Sequence, residues 1–476
     1  MGERATFRMP DLSAPRRVHV VGIGGAGMSA IAAVLAEMGH KVTGSDLAGG
    51  RVLSHLESLG IEVHVGHVPE VAAAADMLAV SSAIPGEDPE VIEASRRSIE
   101  VWPRSAVLAA ICALRRTAAV SGTHGKTTTS SMLAVILREA GWRPSMIIGG
   151  DIAGIGPGSV WEPSGDWIVV EADESDETFI RLGAEAVAVT SIGSDHLDHY
   201  GSREQLDLAF ARFLSEATGP AVVCLDDPGA ARVAAGLAPR AGSDRRTPIT
   251  YGRAEQADVR IDGVELLGDA ATFFVTERGS RRGPVSLSVP GEHNVLDATA
   301  AIALAVSIGV PWEQAIAGVG AYRGVARRYE TRGSAGGVTF IDDYAHNPEK
   351  VAAALATARC GTWGRVVAVF QPHRYSRTEA LWSEFGPALS DADILIVTDV
   401  YPAGERPRPG ITGRLIADAV SASRPEAVVH YVETLAEAES LLREELRPGD
   451  LCLTLGAGDI TDLAARFLGE RGERDG

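Results

Sequence analysis

The stretch that most constrains this chain is Val120-Ser121-Gly122-Thr123-His124-Gly125-Lys126-Thr127-Thr128-Thr129, where a short apolar strand, Thr117 to Val120, runs into a glycine turn and then a helix. Such a turn closes backbone N–H groups around phosphate oxygens. Lys126 adds a positive charge, and the Thr127 hydroxyl is placed to ligate a Mg²⁺ that bridges two phosphates. The pattern is a shortened phosphate loop, Gly-x-x-Gly-Lys-Thr-Thr, because Val120 stands where the longer motif has glycine. Lysine occurs only at 41, 126 and 350, so its place between Gly125 and Thr127 carries weight. The bland alternative is a glycine turn that merely caps a helix.

A chain of 476 residues is too long for one core; at about 150 residues per domain it divides into three. The formal charge of −19 argues against a nucleic-acid partner, since neutralising phosphates needs a basic face and no Lys/Arg stripe is present. Any anionic ligand must be held by helix ends and single arginines. Cys112, Cys224, Cys360 and Cys452 lie far apart, which suggests neither a disulfide framework nor a zinc site but thiols in a reducing cytoplasm. Met1 to Arg17 has no apolar targeting region and no stretch is long enough to span a membrane, so a cytoplasmic protein is expected.

Near the N-terminus, Val18 to Val21 reads as a strand, followed by Gly22-Ile23-Gly24-Gly25-Ala26-Gly27-Met28 and an apolar helix to Met38, then by a second strand ending at Asp46. Taken alone this is the dinucleotide fingerprint, with Asp46 near the place of a ribose-holding acid. Its physical content is broader, because any pyrophosphate can sit on glycine N–H groups at a helix start. Met77 to Val80 is a further strand, ending in Ser81 and Ser82 on the carboxyl edge where ligands of parallel sheets sit. Trp102-Pro103-Arg104 is expected to carry the chain across to the phosphate loop.

In the middle, Trp167 to Val170 is a buried strand that ends in Glu171-Ala172-Asp173-Glu174-Ser175-Asp176. Glu171 comes directly off the strand and is the expected second Mg²⁺ ligand, whereas Glu174 and Asp176 suit a solvated acidic turn. Another strand, Ala186 to Thr190, leads to His196, read as a metal or phosphate residue. Asp258 to Pro290 alternates as strands do and is expected to be a small antiparallel flap without chemistry. Asn294 opens an apolar helix, where its amide could cap the helix or read a base edge. Arg327 and Arg328 follow, where a guanidinium can reach phosphate. From Val338 strand and helix alternate again, every strand exiting into polar residues: Asp343, Tyr344 and His346 after the first, Arg374 and Arg377 after Val366 to Phe370.

The expected fold is therefore α/β with three domains. Residues 1–110 form a Rossmann-like N-terminal domain, 111–324 a central P-loop ATPase-type domain with the flap, and 325–476 a C-terminal Rossmann-like α/β domain.

Together, Gly22-Ile23-Gly24-Gly25-Ala26-Gly27-Met28-Ser29, Gly122 to Thr128, Glu171 to Asp176 and Phe370-Gln371-Pro372-His373-Arg374-Tyr375 resemble the Mur ligases of peptidoglycan synthesis over almost the whole chain. The first and last of these point to the branch that adds alanine. The resemblance implies an ATP-dependent ligase whose substrates are UDP-N-acetylmuramate and L-alanine. It places UDP on Gly22, Gly24, Gly25, Gly27, Ser81 or Ser82 and Arg104, and ATP on Gly122, Thr123, Gly125, Lys126, Thr127 and Thr128. Thr127, Glu171 and His196 would surround two Mg²⁺. Asn294 would contact adenine, Arg328 an ATP phosphate and Asp343 a ribose or the linker. Tyr344, His346, Arg374 and Arg377 would line the amino acid and the reacting carboxylate, and His124 would touch the muramyl sugar. Lys126, His196, Arg374 and Arg377 would act in catalysis, in a monomer or weak homodimer that binds neither nucleic acid nor membrane. The chain departs from the family pattern at Ser191-Ile192-Gly193, Asp297, Asn347 and Arg104-Ser105-Ala106.

Two other readings compete. An NAD-dependent oxidoreductase would use Gly22 to Gly27 and Asp46 but leaves the phosphate loop unexplained. A nucleotide-switched binding protein would use the phosphate loop but has no need of Tyr344 to Arg377.

Overall fold

The computed structural model describes residues 8–237, 247–267 and 269–471. Strand and helix alternate along them and build three sheets. The first sheet runs, edge to edge, Glu62–Val65, Lys41–Asp46, Arg17–Val21, Met77–Val80, Glu100–Pro103, all parallel. This is the doubly wound order, with the chain reversing direction beside Arg17–Val21. The expected crossing segment at Trp102 is in fact the edge strand Glu100–Pro103, and Arg104 begins the helix Arg104–Cys112 directly after it.

The central sheet has ten strands, with Arg116–Ser121 between Ala186–Val189 and Trp167–Glu171. Ala118 to Val120, Ile168 to Val170 and Ala186 to Val189 are wholly buried. Such unbroken apolar runs are what parallel strands covered on both faces require. The Asp258 to Pro290 region forms Val259–Leu267, Ala270–Glu277 and Ser280–Leu287, and these extend one edge of the same sheet beyond Ile249–Gly252.

The third sheet runs Glu330–Ala335, Val338–Asp343, Leu451–Leu455, Val366–Phe370, Ile394–Val397, Val428–Tyr431, antiparallel only at its first pair. Along Val366–Phe370 the side chains alternate between two cores. Val366, Ala368 and Phe370 enter one, Val367 and Val369 the other. Burying each such valine contributes about 1.5 kcal/mol or more. The protein is thus α/β with a Rossmann-like N-terminal domain, a central P-loop-type domain and a C-terminal Rossmann-like domain.

Contacts divide the chain into two compact bodies, Met1–Val264 with Phe273–Leu287 and Asn294–Arg323, and Glu265–Thr272 with Ser288–His293 and Gly324–Gly476. Among the described residues no helix is long and apolar enough to cross a membrane.

Candidate active site

In the first body the strand Arg116–Ser121 delivers the chain to Gly122 and Gly125, and the helix Lys126–Glu139 starts on the next residue. Gly125 has φ +81°, and a Cβ there would run into the Asp297 carboxylate. Glycine is therefore required twice over, by backbone and by space. The departure at Asp297 thus lies against the loop itself. Thr123 Oγ1 accepts from Gly193 N at 2.7 Å, and His124 N donates to Ser191 Oγ at 2.9 Å. Ser191 and Gly193, two further departures, are parts of the loop's underside: a side chain at 193 would collide with Thr123.

Lys126 Nζ donates to the Gly122 carbonyl at 2.5 Å and to Glu174 Oε1 at 2.9 Å. Burial works against its charge, but Glu174 and Asp173 outweigh this and hold the ammonium above its ordinary pKa. Thr127 Oγ1 donates to Glu171 Oε1 at 2.9 Å, and Gly149 N to Glu171 Oε2 at 2.8 Å. The structure thus brings together Lys126, Thr127 and Glu171; Thr128 is half-buried on the first turn of the helix.

His196 has φ +64° and precedes the short helix Leu197–Tyr200. Its Nε2 lies 3.9 Å from Glu174 Oε1, and Asp173, Glu174 and His196 offer ligand atoms within 4.8 Å of one another. The expectation of a solvated acidic turn at Glu174 and Asp176 is overturned. Glu174 is 2 % exposed and paired with Lys126, and Asp176 accepts from Arg104 Nη2 at 2.8 Å. A charge 48 residues from its partner leaves no local sequence signal.

At the other glycine loop, Gly22 has φ +75° and packs on Ser81; Ser82 beside it is exposed. Gly25 precedes the helix Ala26–Glu37 in extended conformation. A Cβ on Gly27 would meet Arg104 Nη1 at 2.8 Å, so Arg104 lies over the start of that helix. Asp46 Oδ2 accepts from Gly24 N at 2.9 Å and Oδ1 from Ala48 N at 3.2 Å. Both oxygens that the dinucleotide reading would offer to a ribose are bonded to the protein's own backbone. Asn294 lies in the helix Glu292–Ser307 and is 6 % exposed.

In the second body, Asp343 accepts from Tyr329 N at 2.7 Å and Ala345 N at 2.8 Å. Burial pushes its carboxyl up to about 6 against the pull of Arg328, whose guanidinium lies 5.2 Å from the Tyr344 ring centre. His346 Nδ1 faces the Tyr344 carbonyl at 2.8 Å, so it carries the proton and Nε2 is the bare nitrogen. Arg377 Nη1 approaches His373 Nδ1 at 3.2 Å; because arginine only donates, that nitrogen accepts and the proton is on Nε2. Burial first, then Lys350 and Arg377, lower His346 to about 2. Burial, Arg377 and Arg374 lower His373 to about 4. Arg374, exposed and at φ +71°, precedes the helix Tyr375–Leu381. Tyr344, His346, Arg374 and Arg377 thus belong to one cluster around His373.

Models of the Mur ligase family match almost the whole chain: its catalytic domain at residues 17–116, its middle domain at 120–305, and the Mur ligase glutamate ligase domain at 327–458. The chain belongs to the Mur ligase family.

This Mur ligase is 42% identical over 455 residues to a protein of Geobacter sp. (strain M21) named UDP-N-acetylmuramate–L-alanine ligase, covering 95% of this chain and 97% of the relative. A protein of the same name from Salinibacter ruber is 42% identical over 471 residues, covering 98% and 97%. Among solved structures, UDP-N-acetylmuramate–alanine ligase MurC from Thermotoga maritima superposes with a TM-score of 0.82 at 28% identity, covering 97% of this chain and all of that one.

Proposed function

We propose that this Mur ligase joins L-alanine to the lactyl carboxylate of UDP-N-acetylmuramate, converting ATP to ADP and phosphate and yielding UDP-N-acetylmuramoyl-L-alanine for peptidoglycan. One observation carries the reading. Lys126, Thr127 and Glu171 meet on one sheet edge, in a chain whose relatives at 42% identity bear that activity in their names.

A carboxylate does not react with an amine in water, because its charge shields the carbonyl carbon. Phosphorylation by ATP to an acyl phosphate removes the obstacle, and the amine then displaces phosphate through a tetrahedral oxyanion. Lys126 draws charge from the phosphoryl oxygens, and the N–H groups of Gly122 to Thr128 cradle them. In this reading His196 stabilises the developing oxyanion, and Arg374 and Arg377 serve the amino acid and the reacting carboxylate. Residues 1–110 hold UDP through Gly22 to Gly27, Ser81 and Arg104; 111–324 hold ATP, with Asn294 at adenine; 325–476 bring Arg328, Asp343, Tyr344 and His346.

The hard oxygens of Thr127 and Glu171 suit Mg²⁺, and Asp173, Glu174 and His196 are a second group near enough to share an ion. Bound there, Mg²⁺ supplies Lewis-acid stabilisation of phosphoryl charge. A cytoplasmic monomer or weak homodimer completes the reading.

The test is phosphate release from ATP with UDP-N-acetylmuramate and L-alanine, together and singly. Release that needs both is expected. Release that is unchanged when either is omitted would sink the assignment.

A further inference from the structure

Lys126 and Glu174 form a buried pair, 16 % and 2 % exposed at their side chains. An ammonium has three N–H groups. Two are already committed, to the Gly122 carbonyl and to Glu174 Oε1. The positive charge that a phosphate loop exists to present is therefore matched within the protein itself. Behind the pair the main chain is held, since the Tyr200 hydroxyl donates to the Glu174 backbone carbonyl at 2.5 Å. The second carboxylate oxygen of Glu174, Oε2, is buried and has no hydrogen-bond partner among the described residues. Glu174 thus grips the lysine with one oxygen, while the second is left unsatisfied. A pair so poorly supported on one side is easier to exchange than one whose every lone pair is occupied.

We propose that Glu174 is a latch: a positioning residue that holds Lys126 in the nucleotide-free loop and yields it to the incoming phosphates. The latch limits nucleotide affinity, because each binding event must first separate a largely buried ion pair. It serves turnover by the same means. When ADP leaves, Glu174 recaptures the ammonium, which lowers the barrier to product release. The inference rests on the loop being the nucleotide site.

The latch makes a prediction opposite in sign to that of a structural role. Damage to the loop weakens nucleotide binding, whereas removing the latch strengthens it. The experiment is an equilibrium titration of the full chain with a fluorescent N-methylanthraniloyl-ADP in EDTA, so that no metal takes part. Glu174→Gln is expected to bind about tenfold tighter than the parent, with slower ADP dissociation and unchanged affinity for UDP-N-acetylmuramate. In a Lys126→Ala background the same substitution is expected to change nothing, because there is no lysine to free. Glu174→Asp, which keeps the charge but draws it back by one methylene, is expected to shift affinity in the same direction by less, and it serves if the glutamine variant does not fold. Equal or weaker binding by Glu174→Gln overturns the latch. So does tightening that persists without Lys126, which would mean simple removal of repulsion. Failure of the parent protein to bind the probe both in EDTA and with Mg²⁺ added would instead overturn the nucleotide site.

Discussion

Arg104 Nη2 donates to Asp176 Oδ2 at 2.8 Å across 72 residues, while Nη1 stands where a Cβ on Gly27 would have to go. One guanidinium therefore connects the acidic run after Trp167–Glu171 with the glycine loop of the first sheet. Burial opposes the Asp176 charge, but hydrogen bonds from Thr178 and Arg104 prevail and keep its carboxyl below the ordinary range. On the proposed function, a guanidinium held there would meet the pyrophosphate of the UDP-sugar at Gly22 to Gly27. Arg104→Ala is expected to raise KM for UDP-N-acetylmuramate by about tenfold or more with KM for ATP little changed, as steady-state kinetics would show. Asp176→Asn should act in the same direction, less strongly.

Lys126→Ala is expected to abolish ligation while UDP-sugar binding persists, since the two glycine loops belong to different sheets. The loss of transition-state stabilisation should be about 3 kcal/mol or more. Turnover near that of the parent would contradict the central assignment.

No NAD(H) binding that UDP competes away is expected. Asp46 bonds Gly24 and Ala48 through its two oxygens, so the carboxylate a dinucleotide ribose would use is already engaged with the loop's own backbone. Calorimetric titration with NADH, with and without UDP, decides the matter.

Arg377 is fixed by the His373 carbonyl and ring, both at 3.2 Å, whereas Arg374 is exposed beside it. A guanidinium fork meets a carboxylate with two parallel N–H groups, which an ammonium does not. Arg→Lys at one of the two positions, Arg377 being the better anchored, is expected to raise KM for L-alanine at least tenfold, about 1.4 kcal/mol, with ATP affinity little changed. Normal alanine kinetics in both variants would place the amino-acid site elsewhere.

His373 carries a pKa lowered from 6.5 to about 4, so the folded state binds its proton less readily than the unfolded chain. Its contribution to stability is full above pH 6.5 and is lost as pH falls from there through about 4. Denaturant unfolding at pH 7.5 and pH 5, conditions about one unit or more above and below the ordinary histidine value, should show this loss. His373→Gln is expected to reduce it. An equal pH dependence in the variant would show that His373 titrates normally.

Much of the architecture was legible in the residue order. The glycine loops at 22–27 and 122–125, the lysine that follows the second, and the apolar strands that feed both are contiguous, and local backbone chemistry specifies such units before any long-range contact forms. The edge strands Glu100–Pro103 and Val428–Tyr431 were not legible, since short half-exposed runs lack the unbroken apolar pattern of a central strand. The same division runs through the candidate site. That Lys126 and Thr127 open a helix directly after a glycine turn follows from spacing. Which acid is solvated and which is sealed does not. Glu174 reads like its neighbours Asp173 and Asp176, and only packing buries it against a lysine 48 residues away. Likewise Asp297 against Gly125, Gly193 under Thr123 and the proton positions of His346 and His373 depend on what the folded chain brings alongside. The sequence determined which groups this protein carries and the local turns that present them. Tertiary structure alone decided their pairing and burial, because a side chain's charge state and partner depend on every element packed around it.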